Sequence, residues 1–81
     1  MSSNLNNLSI EQKIFLFNAV EDEFSIILQD GKYYLYDIPV DSILKEINVE
    51  WINKKYSILL KDSDKSILRQ ILSNYEKFKG V

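Results

Sequence analysis

The feature that most restricts the fold of this chain is the dipeptide Asp30-Gly31, which separates two segments of alternating apolar and polar residues. A two-residue loop of this composition favours a type I′ turn, because both of its positions need a positive φ angle. The pattern therefore predicts a β-hairpin over residues 24–38. The loop length also predicts the register: Leu28 opposite Tyr33, Ile27 opposite Tyr34, Ile26 opposite Leu35, and Ser25 opposite Tyr36.

Alternation divides the side chains of this hairpin between two faces. One face carries the residues that are expected to join the core: Phe24, Ile26, Leu28, Tyr33 and Leu35. The other face carries Ile27, Tyr34 and Tyr36 among polar neighbours. Two interpretations of these three residues remain open. Either a helix of the same chain covers them, or they form an open face for a partner, a role that suits tyrosine because it combines a large apolar area with a polar tip.

Two helices are predicted on either side of the hairpin. Ser9 and Gln12 have the spacing of a capping box, and the apolar residues that follow predict an N-terminal helix over residues 10–20. Pro39 ends the second strand, because proline has no N–H to donate to a β ladder. Asp41 then has the position of a helix cap, so a second helix is expected to start near residue 41.

The segment after residue 41 has two self-consistent interpretations. In the first, the second helix continues to about Asn53, because five apolar residues share one helical arc: Val40, Ile43, Leu44, Ile47 and Trp51. In the second, residues 48–52 form a strand that turns through Asn53-Lys54 into the next one. Both interpretations make residues 56–61 a strand of the same sheet.

The C-terminal segment has the clearest helical pattern, which predicts a helix over residues 63–79. Asp62 or Ser63 would cap the start of this helix, and Gly80 would follow its end. Its buried arc is predicted to consist of six apolar residues: Ile67, Leu68, Ile71, Leu72, Tyr75 and Phe78.

These elements together predict a single compact α+β domain with a small antiparallel sheet of three or four strands. The domain is expected to span residues 9–81, whereas residues 1–8 are expected to be frayed or disordered. The sequence has no apparent signal peptide, and no segment approaches the ~20 apolar residues of a membrane span. We therefore expect a cytoplasmic protein.

The absence of cysteine and histidine excludes most enzymatic mechanisms. Without cysteine there are no disulfides, thiol nucleophiles or zinc clusters, and without histidine the commonest general base is missing. Glu21, Asp22 and Glu23 could supply oxygen ligands to a hard cation, but adjacent carboxylates between a helix and a strand usually point apart into water. We therefore expect no catalytic residues, no metal and no cofactor.

Charge is divided unevenly along the chain. Residues 1–50 hold nine acidic and three basic side chains, for a charge of −6, whereas residues 51–81 hold seven basic and three acidic ones, for +4. The basic residues that could contact nucleic acid are Lys54, Lys55, Lys61, Lys65 and Arg69. Because the chain is acidic overall and has a single arginine, nucleic-acid binding is the alternative and not the first prediction.

The first prediction is a small non-catalytic protein that acts by protein–protein interaction. Ile27, Tyr34 and Tyr36 would contact the partner together with the acidic segment Glu21, Asp22 and Glu23. A homodimer is one form of this prediction, because a domain of this size is only marginally stable alone. The excess of Ile, Asn and Lys over Ala, Arg and Gly indicates an AT-rich genome, which favours an accessory or regulatory protein of a phage, a virus or a mobile element.

Overall fold

A computed structural model of the chain describes residues 5–79, without the side chains of residues 78 and 79. It contains three helices and one three-stranded antiparallel sheet with the strand order β1-β2-β3. In chain order the elements are α1 (Ile10–Val20), β1 (Phe24–Gln29), β2 (Lys32–Asp37), β3 (Ser42–Ile47), α2 (Val49–Asp62) and α3 (Lys65–Lys79). The predicted α+β class is confirmed.

The predicted hairpin is confirmed in its turn and in its register. Asp30 and Gly31 have φ angles of 54° and 77°, as a type I′ turn requires. All four predicted residue pairs between β1 and β2 are present. Of the residues predicted to face the core, only Leu28 lies outside it, with 63% of its surface exposed. Leu28 lies close to the turn on the edge strand β1, where it lines an open cleft together with Tyr33 and Tyr75.

Helix α1 has the bounds that the sequence predicts, and its capping box is complete. The Gln12 backbone N–H donates to the Ser9 hydroxyl at 3.2 Å, and the Ser9 backbone N–H donates to the Gln12 side-chain oxygen at 2.8 Å. Two otherwise unpaired backbone donors at the start of the helix are satisfied in this way.

The prediction of a helix starting near residue 41 is wrong, because residues 42–47 form β3. Asp41 has a φ angle of 61° and belongs to the turn between β2 and β3, where its N–H donates to the carbonyl oxygen of Asp37 at 2.8 Å. The apolar residues of this segment fit a helical arc, but pairing with β2 satisfies its backbone and buries Ile47 against the helices.

The strand predicted over residues 56–61 is also wrong, as is the possible strand over residues 48–52. Both segments belong to α2, so the helical interpretation is confirmed for residues 49–53. Asn48 caps this helix, because its side-chain oxygen accepts from the Trp51 N–H at 2.8 Å. The signal for α2 in the sequence is the i, i+4, i+7, i+8 spacing of its inward-facing residues: Ile52, Tyr56, Leu59 and Leu60.

Helix α3 begins two residues later than predicted. Asp64 caps it, since the Asp64 carboxylate accepts from the Ser66 N–H at 2.9 Å, while Ser63 ends α2. Ile67 is 53% exposed and does not belong to the buried arc. The remaining predicted members of that arc that can be described lie in or against the core: Leu68, Ile71, Leu72 and Tyr75. The Phe78 side chain and Gly80 lie outside the described residues.

Two hydrophobic clusters hold these elements together. The first lies among the helices and consists of Leu5, Leu16, Tyr56, Leu68 and Leu72. The second lies between the helices and one face of the sheet and consists of Phe17, Ile26, Leu35, Ile47 and Ile52. Two consecutive residues of α1, Leu16 and Phe17, belong to different clusters, so α1 connects α3 to the sheet.

Part of the segment that we expected to be frayed packs against the first cluster. Leu5 is 5% exposed, and its carbonyl oxygen accepts a hydrogen bond from the Tyr56 hydroxyl at 2.7 Å. Leu8 also packs against this cluster. Residues 1–4 lie outside the described part of the chain.

The buried Tyr56 hydroxyl is expected to make the fold less stable at alkaline pH than at neutral pH. Burial raises the pKa of Tyr56, because the phenolate would lose its hydration. The folded state therefore holds this proton more tightly than the unfolded chain, in which the phenol has a pKa of about 10. The contribution of Tyr56 to the free energy of unfolding is complete below that pH and is lost as the pH rises above it.

We expect Tyr56→Phe to lower the free energy of unfolding by about 1 kcal/mol at neutral pH, because the Leu5 carbonyl loses its buried donor. The same substitution should reduce the loss of stability above about pH 10. Urea unfolding curves across this pH range test both effects. An equal alkaline loss in the two proteins would show that Tyr56 does not cause it.

Candidate interaction face

The face of the sheet that points away from the second cluster is the candidate functional site. Strand alternation and the observed register place eight residues on it: Ser25, Ile27, Gln29, Lys32, Tyr34, Tyr36, Ile43 and Glu46. We call this surface the tyrosine face. Its centre is apolar, because Ile27 lies opposite Tyr34 on β1 and Ile43 lies opposite Tyr36 on β3.

In the described part of the chain, neither hydrophobic cluster packs a helix against the tyrosine face. Helices α1 and α2 pack on the opposite face, and neither cluster includes a side chain of the tyrosine face. Ile27, Tyr34 and Tyr36 are half-buried among their neighbours, and Ile43 is 44% exposed. Of the two interpretations that the sequence left open, the structure therefore favours an open face over a face covered by a helix.

Further exposed apolar residues lie in and after the turn between β2 and β3. Ile38, Val40 and Leu44 are 44%, 67% and 50% exposed. The acidic segment of residues 21–23 reaches the same end of the sheet, because the Ile38 N–H donates to the Glu23 carbonyl oxygen at 2.9 Å. The structure thus brings the acidic segment close to one end of the tyrosine face, while their common role in binding stays a prediction.

The outer edge of β1 is closed by a side chain that sequence reasoning missed. Ile26 and Leu35 form the kind of antiparallel pair in which the backbone groups of Ile26 point away from β2. The Asn18 amide of α1 bonds both of these groups: its oxygen accepts from the Ile26 N–H at 2.7 Å, and its nitrogen donates to the Ile26 carbonyl at 3.1 Å. Asn18 thereby occupies the position that an added strand would need.

The outer edge of β3 carries two features that oppose strand pairing. The register between β2 and β3 skips Leu44, which is a β-bulge. Lys45 and Glu46 follow the bulge, and both are exposed. If β3 paired with β3 of a second copy around an axis at Lys45, the two Lys45 side chains would face each other. An axis at Glu46 would do the same with two carboxylates, and like charges in these positions oppose pairing.

Trp51 is half-buried and belongs to the packing between α2 and the sheet. Its ring meets the Phe17 ring edge-on, with 6.4 Å between the centroids. The Nζ atoms of Lys45 and Lys55 lie 5.5 and 5.4 Å from the indole centroid. Trp51 lines two small clefts, one of about 340 Å³ on the Lys45 side and one of about 200 Å³ on the Lys55 side. These contacts give Trp51 a structural role.

The basic residues predicted to bind nucleic acid are divided among several roles. Lys55 contacts the tryptophan ring. The Lys65 ammonium donates to the Leu60 carbonyl oxygen at 3.1 Å, at the C-terminal end of α2 where a cation is favourable. The other three are exposed on two helices: Lys54, Lys61 and Arg69. Nucleic-acid binding therefore stays a prediction.

None of the charged side chains in residues 5–77 is buried, although desolvation is the usual means of tuning a catalytic group. In the same part of the chain, no three acidic side chains form a group that could hold a metal ion. None of the three described helices has the length and apolar character needed to cross a bilayer.

The site and fold together define a one-sided α+β sheet protein: helices cover one face of the sheet, and an aromatic face remains on the other side. Comparison with protein-family models, with curated proteins and with solved structures gave no significant match.

Proposed function

We propose that this chain is a small non-catalytic protein that acts by docking another protein on its tyrosine face. One observation carries the proposal: the helices pack on one side of the sheet, while Ile27, Tyr34, Tyr36 and Ile43 form an aromatic and aliphatic surface on the other. Tyrosine is enriched at protein interfaces because it buries a large area with few rotatable bonds. The acidic segment of residues 21–23 adds negative charge near one end of this surface.

The composition supports the non-catalytic part of the proposal. The chain has no histidine and no cysteine, and none of the charged side chains in residues 5–77 is buried. The absence of cysteine also supports a cytoplasmic location, since small secreted domains commonly depend on disulfides. The excess of Ile, Asn and Lys supports an accessory or regulatory role in a phage, a virus or a mobile element with an AT-rich genome.

A site-specific crosslinking experiment tests the docking proposal. Because the chain has no native cysteine, Ile43→Cys creates a single thiol on the tyrosine face for a photoactivated crosslinker. Ile58→Cys is a matched control, since Ile58 is 47% exposed against 44% for Ile43 and lies on α2. Both labelled proteins are added to an extract of the organism that carries the gene, and to the purified protein itself.

We expect Ile43→Cys to give discrete crosslinked protein species and Ile58→Cys to give none above background. Unfolding curves confirm that both variants are folded. If the two positions crosslink equally, or if only the α2 position does, docking on the tyrosine face is wrong.

A further inference from the structure

We propose that the protein bound on the tyrosine face is a second copy of this chain, packed face to face across a two-fold axis. The inference rests on the proposed function and names the partner. It follows from three observations: the edges of the sheet oppose pairing, the charges of the face complement themselves, and the face carries no net charge although the chain does.

The outer strands of the sheet, β1 and β3, are poorly suited to pairing edge to edge with a second sheet. Sheet proteins often dimerise by adding strands edge to edge, which needs free backbone groups on an outer strand. Asn18 holds those groups of Ile26 on β1. On β3, the bulge at Leu44 and the Lys45-Glu46 pair oppose the same pairing. The face, with its apolar centre, is the surface that remains for a second sheet.

The charges on the tyrosine face are self-complementary. Lys32 and Glu46 are the charged residues of this face, so its net charge is zero, whereas the whole chain carries −2. Both are next to Tyr34: Lys32 lies two residues before it on β2, and Glu46 lies opposite it on β3. A two-fold axis that lies in the interface, passes near Tyr34 and crosses the line from Lys32 to Glu46 at right angles sets Lys32 of each copy against Glu46 of the other, in two equivalent pairs.

The size of the face sets the strength of the association. Three strands of six residues give a face of about 14 by 20 Å. This footprint is smaller than the ~800 Å² that each partner buries in a standard stable interface. The dimer is therefore weak, and its population depends on protein concentration in the micromolar to millimolar range.

Sedimentation of the full-length chain over a concentration series tests the proposal. The mass is expected to rise from one chain towards two with increasing concentration. Lys32→Glu alone and Glu46→Lys alone each set like charges against each other in both pairs, so each should raise the dissociation constant about tenfold or more. An equimolar mixture of the two variants restores opposite charges in both pairs and should dimerise about as well as the original protein. The double variant should do the same.

Two controls make the result specific. Lys54→Glu and Glu50→Lys make the same charge changes on the exposed side of α2, and neither should alter the dissociation constant. Thermal unfolding at a dilution where the chain is monomeric confirms that the face variants are folded.

Three outcomes would overturn the inference. The chain could be a monomer at every concentration, neither charge reversal could change the dissociation constant of the dimer, or the two single variants could fail to dimerise when mixed. The proposed function has its own test. If Ile43→Cys crosslinks another protein while the chain stays monomeric, the tyrosine face binds a partner that is not a second copy.

Discussion

Leu16→Ala should lower the free energy of unfolding by about 2–5 kcal/mol. Leu16 is 0% exposed and packs with Tyr56, Leu68 and Leu72 in the cluster that joins the helices. Alanine would leave a cavity where α1 contacts α3. A chain of 81 residues is expected to have a total stability of roughly 4–12 kcal/mol, so this change removes a large part of it. Urea unfolding at 25 °C, followed by circular dichroism, measures the effect.

Leu28→Ala is the matched control for this substitution. The alternation of β1 predicts that Leu28 faces the core, as it does for Ile26, but the structure leaves Leu28 63% exposed. Little surface is removed from water at this position, so we expect a change within about 0.5 kcal/mol. If the two substitutions cost the same free energy, the packing of α1 against the other helices is not as described.

Asn18→Ala should lower the free energy of unfolding by about 1–2 kcal/mol, because the N–H and C=O of Ile26 both lose a partly buried partner. It should also open the edge of β1, so the variant should associate more strongly with itself at high concentration than the original protein. The exchange rate of the Ile26 amide hydrogen, followed by NMR, reports the loss of this hydrogen bond directly.

Asn18→Asp separates the two hydrogen bonds of this side chain. A carboxylate still accepts from the Ile26 N–H but cannot donate to the Ile26 carbonyl, whereas the protonated acid can do both. We therefore expect Asn18→Asp to be destabilised at neutral pH and to recover part of the loss in mild acid, relative to the original protein. Asn53→Ala is the control, because the Asn53 side chain accepts an exposed hydrogen bond from Lys13 and should change stability little. Unchanged exchange of the Ile26 amide in both Asn18 variants would contradict this role.

The elements that sequence reasoning predicts correctly are those with strong local signals. The hairpin follows from Asp30-Gly31, since only certain residues tolerate the φ angles of that turn, and its length then fixes the register. Helix α1 follows from the reciprocal cap of Ser9 and Gln12. In both cases the determining contacts join residues that are close in the sequence, so the pattern contains them.

The predictions for residues 42–47 and 56–61 are wrong because the local signals of these two segments conflict with their structures. The apolar residues of β3 fit a helical arc and those of residues 56–60 resemble a strand, yet each adopts the other structure. β3 is a strand because β2 offers it an unpaired edge, and α2 is a helix because this conformation places Tyr56 in the first cluster and Ile52 in the second. β2 directly precedes β3, but the clusters that bury Ile47, Ile52 and Tyr56 also contain residues of α1, which are distant in the sequence. These tertiary contacts outweigh a weak local preference.

For the candidate site, the sequence by itself determined which side chains share a face. Strand alternation, together with the two-residue turn, places Ile27, Tyr34 and Tyr36 on one side of the hairpin whatever the rest of the chain does. Only the tertiary structure decided that the helices pack on the other side, that Ile43 of β3 extends the tyrosine face, and that Asn18 closes the edge of β1. The physical reason is that alternation is a property of the backbone, whereas the covering of a face depends on which distant segments gain most by burying their apolar residues against it.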